Sequence, residues 1–257
     1  MKDAIVEIET ADGIMDAFVT CPEKGEPFPA VILYMDIWGV REELYDLARS
    51  VGTVGYCCVV PDLYHRQGRR IHFDFRNERN QTISRDRLEG ENLKAILARP
   101  QLTNKMVMDD TGALLEFLKG AAFARAGAMG AFGYCMGGRY AMCAAGTYPE
   151  NIVASASLHG TALISEQKDS PHRLAAKLRG EFYCGFGEHD PHTPPPLVQQ
   201  MGEILKTCEV RYRFTVHPGA AHGYALPERD VHDKRATARD WEHIFAMFHR
   251  QIPPHAD

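Results

Sequence analysis

The sequence lacks the features that mark membrane, secreted and nucleic-acid-binding proteins. No apolar run approaches the roughly 18–20 residues of a membrane-spanning helix, and the opening segment MKDAIVEIETADG is too polar for a signal peptide. The seven cysteines are odd in number and follow no regular framework, which favours a reducing compartment. Cys57, Cys58, Cys143 and Cys184 lie in apolar segments, and we expect them to be inert core residues. A net charge of −5 gives no electrostatic reason to expect nucleic acid or an anionic membrane. We therefore expect a cytoplasmic protein with neither kind of partner.

The chain also lacks internal repeats, low-complexity segments and linkers between domains. Its 257 residues, 45% apolar and 25% charged, suit one large domain (1–257) with a substantial core. Strand patterns alternate with helical spacing, which predicts an α/β fold with a mostly parallel central sheet and helices on both faces. The predicted strands are 4–9, 15–20, 29–35, 56–60, 126–133, 152–158, an apolar run that starts at 181, and 210–216. The predicted helices are 41–50, 105–119, 138–146 and 236–250.

Residues 65–104 depart from this alternation. They contain eight arginines and little regular apolar pattern. A long excursion between a strand and a helix is commonly a lid or a pocket wall, and this is the interpretation we adopt for 65–104. The alternative is a solvated surface excursion in which the arginines simply face water.

The segment GAFGYCMGG places Cys135 at the centre of a Gly-x-Cys-x-Gly frame. This frame has the form of a nucleophile elbow, a sharp turn between a strand and a helix, with cysteine where serine is commoner. Gly133 and Gly137 would leave room for the strand and the helix to approach each other. The N-terminus of the helix would favour a thiolate at Cys135. The alternative is a tight glycine turn around a buried structural cysteine.

A catalytic triad needs a base that takes the thiol proton and an acid that orients the base. In the α/β class with this elbow, the chain order is nucleophile, acid, histidine. Asp190 lies in GEHD after the apolar run, and His222 lies in the loop after strand 210–216. Because open α/β sheets place their sites at the carboxyl ends of strands, we expect Cys135, Asp190 and His222 to meet there.

The segment GEHDPHTP also permits a different interpretation. His189, Asp190 and His192 lie close together in the sequence, and side chains of these types are metal ligands. Their spacing fits no usual zinc site, so we expect neither a metal nor a cofactor. His159 follows a strand in the segment SLHG, where it either packs structurally or approaches the floor of a pocket.

The chain resembles the dienelactone hydrolase family of the α/β-hydrolase superfamily. The matching segments are YMDIWG, PDLYHRQG, GYCMGG, GEHDPHTP and HPGAAHGY, and the resemblance runs from about residue 5 to residue 250. It implies that Cys135 is the nucleophile, His222 the base and Asp190 its orienting acid. The family also has a carboxylate after the third strand that pairs with the resting thiol. Asp36 occupies that place, where the best-known member has glutamate.

The resemblance also implies a cysteine hydrolase that opens a small ester or lactone through an acyl-thioester. The oxyanion of the intermediate needs preplaced donors, and the backbone N–H groups of Met136 and Ile37 are the predicted ones. The predicted substrate-binding residues are Trp38, Tyr64, Arg79 and Tyr224, with plain packing as the alternative for Trp38 and Tyr64. Two alternatives remain in function: a thioesterase or acyltransferase that uses the same triad, and a non-catalytic relative that binds a small ligand.

Substrate charge is the point at which the chain departs from the family. The best-known dienelactone hydrolase holds its substrate's carboxylate with two arginines. One of these positions is Leu226 here, and the closest register for the other is Gln81, with Arg79 and Arg76 nearby. Loss of a bidentate arginine weakens carboxylate binding. We therefore expect either a less acidic substrate or an anion bound by other arginines of residues 66–87.

Overall fold

Eight strands form one sheet in the computed structural model, which describes residues 1–254. The strands are β1 (Lys2–Thr10), β2 (Gly13–Cys21), β3 (Ala30–Tyr34), β4 (Cys57–Pro61), β5 (Met129–Tyr134), β6 (Ile152–Leu158), β7 (Glu181–Gly187) and β8 (Arg211–His217). Their order across the sheet is β1-β2-β4-β3-β5-β6-β7-β8. β2 runs antiparallel to both of its neighbours, and β3 to β8 are parallel. The predicted α/β fold with a mostly parallel sheet is confirmed.

Six α-helices connect or follow the strands. They are α1 (Glu42–Gly52), α2 (Gly90–Leu97), α3 (Asn104–Gly120), α4 (Met136–Thr147), α5 (Pro195–Lys206) and α6 (Lys234–Gln251). Short 3-10 helices lie at Arg85–Arg87 and Pro171–Lys177. The sequence did not predict α2, which has only two turns, or α5. Two prolines begin α5, and proline is favourable in a first helical turn. No described helix has the length and apolar character needed to cross a membrane.

Alternation along β5 shows that the two faces of the sheet carry different helices. A Cβ atom on Gly130 would meet Phe248 of α6, and the ring of Phe132 packs edge-on against the same phenylalanine. A Cβ atom on Gly133 would instead collide with the carbonyl of Gly137 in α4. Because successive residues of a strand point to opposite faces, α6 and α4 cover opposite faces. The sheet is therefore buried on both sides, as its uniformly apolar central strands predict.

Residues 65–104 are held to the body of the protein by ion pairs and backbone hydrogen bonds. Arg66 binds Asp110 of α3 at 2.8 Å, so this arginine supports the fold. Thr82 donates its N–H to the carbonyl of Glu228 at 2.8 Å and accepts from Asp230 at 3.1 Å. The segment thus lies against the loop after His222, as a pocket wall requires.

One cysteine prediction is wrong. Cys21 of β2 and Cys57 of β4 lie opposite each other, with their Cα atoms 4.3 Å apart, and are paired as a disulfide. The sequence treated Cys57 as an inert core residue, because no framework of spacings pointed to a partner 36 residues away. Cys58, Cys143 and Cys184 are free and buried, in agreement with the prediction. The cytoplasmic location stays a prediction.

Candidate active site

Cys135 occupies the sharp turn between β5 and α4. Its backbone has φ 55° and ψ −116°, a strained conformation for a residue with a side chain. The turn is as tight as the sequence predicts: a Cβ atom on Gly133 would strike Gly137, and one on Gly137 would strike the backbone of Tyr34 in β3. The Cys135 N–H donates to the carbonyl of Leu158 at 3.0 Å. Neighbouring strands thus hold the nucleophile elbow in place.

Asp190 and His222 lie on the loops after β7 and β8, and they contact each other. His222 Nδ1 is 2.8 Å from Asp190 Oδ2, and Asp190 Oδ1 accepts the N–H of His192 at 2.8 Å. Burial alone would lower the pKa of His222. The negative charge of Cys135 and the hydrogen bonds to Asp190 and Cys135 outweigh burial and raise that pKa to about 10. A negative charge on the Cys135 sulfur therefore favours an imidazolium at His222.

A cavity of about 270 Å³ opens above these residues. Its walls come from the loop after β3, from residues 84–99 of the arginine-rich segment, from the elbow and the loop after β6, and from the loops that carry His192 and His222. Residues 65–104 therefore contribute part of the wall, through Ser84, Arg85, Leu97 and Arg99. The volume suits a small ligand.

The two predicted oxyanion donors belong to the start of α4 and to the loop after β3. Met136 is the first residue of α4, so its N–H is one of those that have no partner within the helix. Ile37 follows β3 and lines the cavity, which places it on the loop that supplies the second donor in enzymes with this elbow. The helix N-terminus adds a favourable potential for negative charge at the same point.

Asp36 lines the cavity but binds arginines rather than the thiol. Its carboxylate accepts from Arg41 Nη1 at 2.7 Å, from Arg229 Nη2 at 2.5 Å and from the N–H of Trp38 at 3.0 Å. Burial alone would raise the pKa of Asp36, but the charges of Arg41 and Arg229 hold it below its usual value. Asp36 is therefore a buried anion that orients two arginines, and its predicted effect on the thiol stays a prediction.

Of the four predicted substrate-binding residues, only Trp38 lines the cavity. Tyr64 is fully buried and donates its hydroxyl to the carbonyl of Ile37 at 2.9 Å, so it supports the loop after β3. Arg79 is exposed and lies outside the cavity. Tyr224 is buried and donates to Asp240 at 2.7 Å. We correct these three assignments, because a pattern of neighbouring residues cannot tell which side of a loop a side chain takes.

Asp240 is the centre of a second carboxylate–histidine pair. This fully buried residue of α6 accepts from His217 Nε2 and from the hydroxyl of Tyr183, both at 2.6 Å, in addition to Tyr224. None of these four residues lines the cavity. Since Tyr224 lies two residues after His222, this network anchors the loop that carries His222.

Comparison with known proteins agrees with this site. The family model described as the dienelactone hydrolase family matches residues 15–252. The chain belongs to the dienelactone hydrolase family. A Methylorubrum extorquens protein assigned as a carboxymethylenebutenolidase is 25% identical over 249 residues, 95% of this chain and 79% of that protein. A Bradyrhizobium protein assigned as a 2-oxo-3-(5-oxofuran-2-ylidene)propanoate lactonase is 23% identical over 250 residues, 95% of this chain and 93% of that protein.

The fold agrees as well. A Klebsiella pneumoniae crystal structure assigned as a dienelactone hydrolase superposes with a TM-score of 0.79 at 22% identity, covering 96% of this chain and 98% of that one. As a member of this family, the protein is a carboxylic ester hydrolase. It acts on small ester or lactone molecules.

The arginines of this dienelactone hydrolase family member lie at positions that the sequence did not single out. Leu226 lines the cavity where the family has an arginine, and Arg229 enters the cavity three residues later. The guanidinium of Arg229 lies 4.4 Å from the ring centroid of Trp38, and Arg99 lies in the wall formed by residues 84–99. In the sequence, Arg229 was marked only by its closeness to His222, and Arg99 only by its place in the arginine-rich segment 65–104.

The structure groups a different set of possible metal ligands from the one that the sequence suggested. Asp190, His192 and His222 offer ligand atoms within 4.8 Å of one another, whereas the sequence grouped His189 with Asp190 and His192. The His189 side chain is 67% exposed and turns towards Glu188 instead. Because Asp190 and His222 already bind each other, the set is better explained as part of the triad.

Proposed function

We propose that the protein hydrolyses a small ester or lactone through a covalent thioester at Cys135. The observation that carries this proposal is that Cys135 and His222 both line the cavity, with Asp190 bound to His222 and an imidazolium favoured beside the sulfur. A purely structural cysteine would need neither the strained turn nor an oriented histidine.

In the first step, the Cys135 thiolate attacks the carbonyl carbon of the substrate. The carbonyl oxygen becomes an oxyanion that accepts from the N–H groups of Met136 and Ile37. When the intermediate collapses, the C–O bond breaks and the His222 imidazolium gives its proton to the leaving alkoxide. Asp190 keeps the imidazole in the tautomer that faces the reaction.

In the second step, water cleaves the thioester. His222, now neutral, takes a proton from the water as its oxygen bonds to the acyl carbon. The C–S bond then breaks, the thiolate leaves, and the carboxylic acid is released. The cycle ends with the same thiolate and imidazolium with which it began, so the net consumption is one water molecule for each ester bond.

The charges in the cavity favour an anionic substrate. Arg99 Nε and Arg229 Nη1 are buried and have no hydrogen-bond partner within residues 1–254. Arg85 also lines the cavity, and the single carboxylate of Asp36 is shared with Arg41. We therefore propose that the substrate carries a carboxylate, as the lactone named for the Bradyrhizobium relative does. In this proposal, Arg99 and Arg229 bind the carboxylate in place of the two arginines that the best-known family member uses.

The nucleophile is tested by Cys135→Ala. We expect the variant to lose at least about 10⁴-fold in kcat/KM towards p-nitrophenyl acetate and cis-dienelactone, while its unfolding temperature stays near that of the wild type. Mass spectrometry of the quenched wild-type reaction should show the acyl group on Cys135. Hydrolysis retained by the variant would exclude the proposed nucleophile.

The substrate charge is tested by Arg99→Gln, with Arg79→Gln as the matched control outside the cavity. We expect the Arg99 variant to lose about 10- to 100-fold in kcat/KM for cis-dienelactone, because a hydrogen bond to a charged group is removed. A neutral lactone of similar size should be affected much less, and the Arg79 variant should behave like the wild type. Equal losses on the charged and neutral lactones would contradict the anionic substrate.

A further inference from the structure

His159 is a cavity residue that the reaction described above does not use. It directly follows β6, its N–H donates to the carbonyl of Gly185 at 2.8 Å, and its fully buried ring lies at the floor of the cavity. The ring centroid is 5.0 Å from that of His222, 5.5 Å from that of Tyr224 and 5.8 Å from that of Tyr134. His159 therefore lies directly beside the catalytic base.

Two features of His159 are unfavourable for folding. Neither ring nitrogen has a hydrogen-bond partner in the described part of the chain, although both are buried. Its backbone has φ 39°, in the left-handed region that side chains with a Cβ atom avoid. Unsatisfied polar atoms and backbone strain at one cavity residue are typical of a functional position rather than of packing.

The chemistry of the ring limits what it can bind. Burial holds the pKa of His159 well below its usual value, and the positive charges of His222 and Arg229 lower it further. A neutral imidazole presents one N–H donor and one acceptor nitrogen. A carboxylate cannot donate to the acceptor nitrogen, and the arginines already suit a carboxylate. The complementary partner is a molecule that both donates and accepts, such as water.

We propose that His159 binds the water that cleaves the acyl-thioester at Cys135. The inference rests on the proposed function, which requires such a water within reach of His222. Rings whose centroids are 5.0 Å apart can share one water between a nitrogen of each. His159 accepts a hydrogen bond from this water and orients its lone pair. The water's other proton passes to His222 as the new C–O bond forms and the C–S bond breaks, so His159 exchanges no net proton.

The test compares the two half-reactions in His159→Phe and His159→Asn. Phenylalanine keeps a ring and loses both nitrogens, whereas asparagine keeps a donor and an acceptor and tolerates positive φ. With p-nitrophenyl acetate in stopped flow, we expect the Phe variant to acylate at the wild-type rate and deacylate about 10- to 100-fold more slowly. The acetylated protein should then accumulate in the mass spectrum. The Asn variant should recover much of the deacylation rate.

Hydroxylamine provides a second measurement, the ratio of hydroxamate to acetate, which a general structural defect would not change. It attacks the acyl-enzyme in place of water, so loss of a water site should shift the product of the Phe variant from acetate towards hydroxamate. His189→Phe, a matched change at an exposed histidine outside the cavity, should leave this partition unchanged. An unchanged deacylation rate, or acylation and both deacylations slowed alike, would overturn the water site. Activity retained by Cys135→Ala would instead remove the proposed function itself.

Discussion

Two buried carboxylate–histidine pairs in this protein have similar hydrogen-bond lengths but different surroundings. His222 Nδ1 lies 2.8 Å from Asp190, and His217 Nε2 lies 2.6 Å from Asp240. In the first pair, His222 faces the cavity and the Cys135 sulfur. The second is enclosed by two tyrosine hydroxyls and has no access to the cavity. The pair alone therefore does not make a catalytic site; a nucleophile and an opening to substrate do.

In the comparison of these two pairs, the largest expected effect comes from Asp190→Asn. Asparagine offers an N–H to His222 and turns the imidazole to the wrong tautomer, so we expect kcat to fall about 10²- to 10⁴-fold. The unfolding temperature should change little in comparison. Steady-state kinetics with cis-dienelactone measures the loss, and circular dichroism checks the fold. Near-normal turnover would show that the imidazolium–thiolate pair works without an orienting carboxylate.

The matched change in the second pair is Asp240→Asn. It removes the charge that accepts three hydrogen bonds in the core, so we expect about 3 kcal/mol of lost stability. The folded fraction should keep most of its kcat, because Asp240 does not line the cavity. Urea unfolding gives the stability, and activity normalised to folded protein gives the kcat. A fall in kcat without a fall in stability would erase the distinction between the pairs.

The pH dependence sharpens the comparison, because of the two histidines only His222 interacts with the Cys135 sulfur. Its pKa of about 10 in the folded protein lies above the ordinary value of about 6.5. The imidazolium therefore persists up to about pH 10, and kcat/KM for an alkyl ester or lactone should fall as pH rises through that value. The associated stability should be fully present below about pH 6.5 and lost as pH approaches 10.

A substrate whose leaving group needs no proton serves as the control. The alkaline fall should be weaker for p-nitrophenyl acetate than for an alkyl ester, because p-nitrophenoxide leaves as an anion. In His222→Gln the pH-dependent part of the stability should disappear. If kcat/KM fell equally for both substrates at alkaline pH, deprotonation of His222 would not be the cause of that fall. Stability with the same pH dependence in His222→Gln as in the wild type would contradict the role of His222 in stability.

The sequence predicted the parts of the protein that follow from local patterns. Alternating apolar segments gave the sheet, and the glycine frame around Cys135 gave the elbow, because each depends on residues that are close in the chain. Side-chain direction was harder to predict. Tyr64 and Tyr224 lie in segments that match the family, yet each turns into the core, where its hydroxyl finds a partner.

Arg229 and His159 show the remaining limit. Their importance depends on burial and on unsatisfied nitrogens, which appear only when distant segments have packed together. The pairing of Cys21 with Cys57 has the same origin, since it follows from β2 lying beside β4. These features belong to the tertiary structure, so no local pattern carries them.

The smallest expected effect is that of Tyr224→Phe, which tests whether Tyr224 supports the Asp240 network or contacts the substrate. Tyr224→Phe removes one hydroxyl from Asp240, and Tyr183→Phe removes another from the same carboxylate on the other side of the network. Each should cost about 1–2 kcal/mol in urea unfolding and leave the KM for cis-dienelactone unchanged. If Tyr224→Phe alone raised KM, the tyrosine would contact substrate, as its place two residues after His222 first suggested. If both variants lost the same unfolding free energy with no change in KM, Tyr224 would support the His217–Asp240 pair, which anchors the loop. It would then have no contact with the substrate at the His222–Asp190 pair.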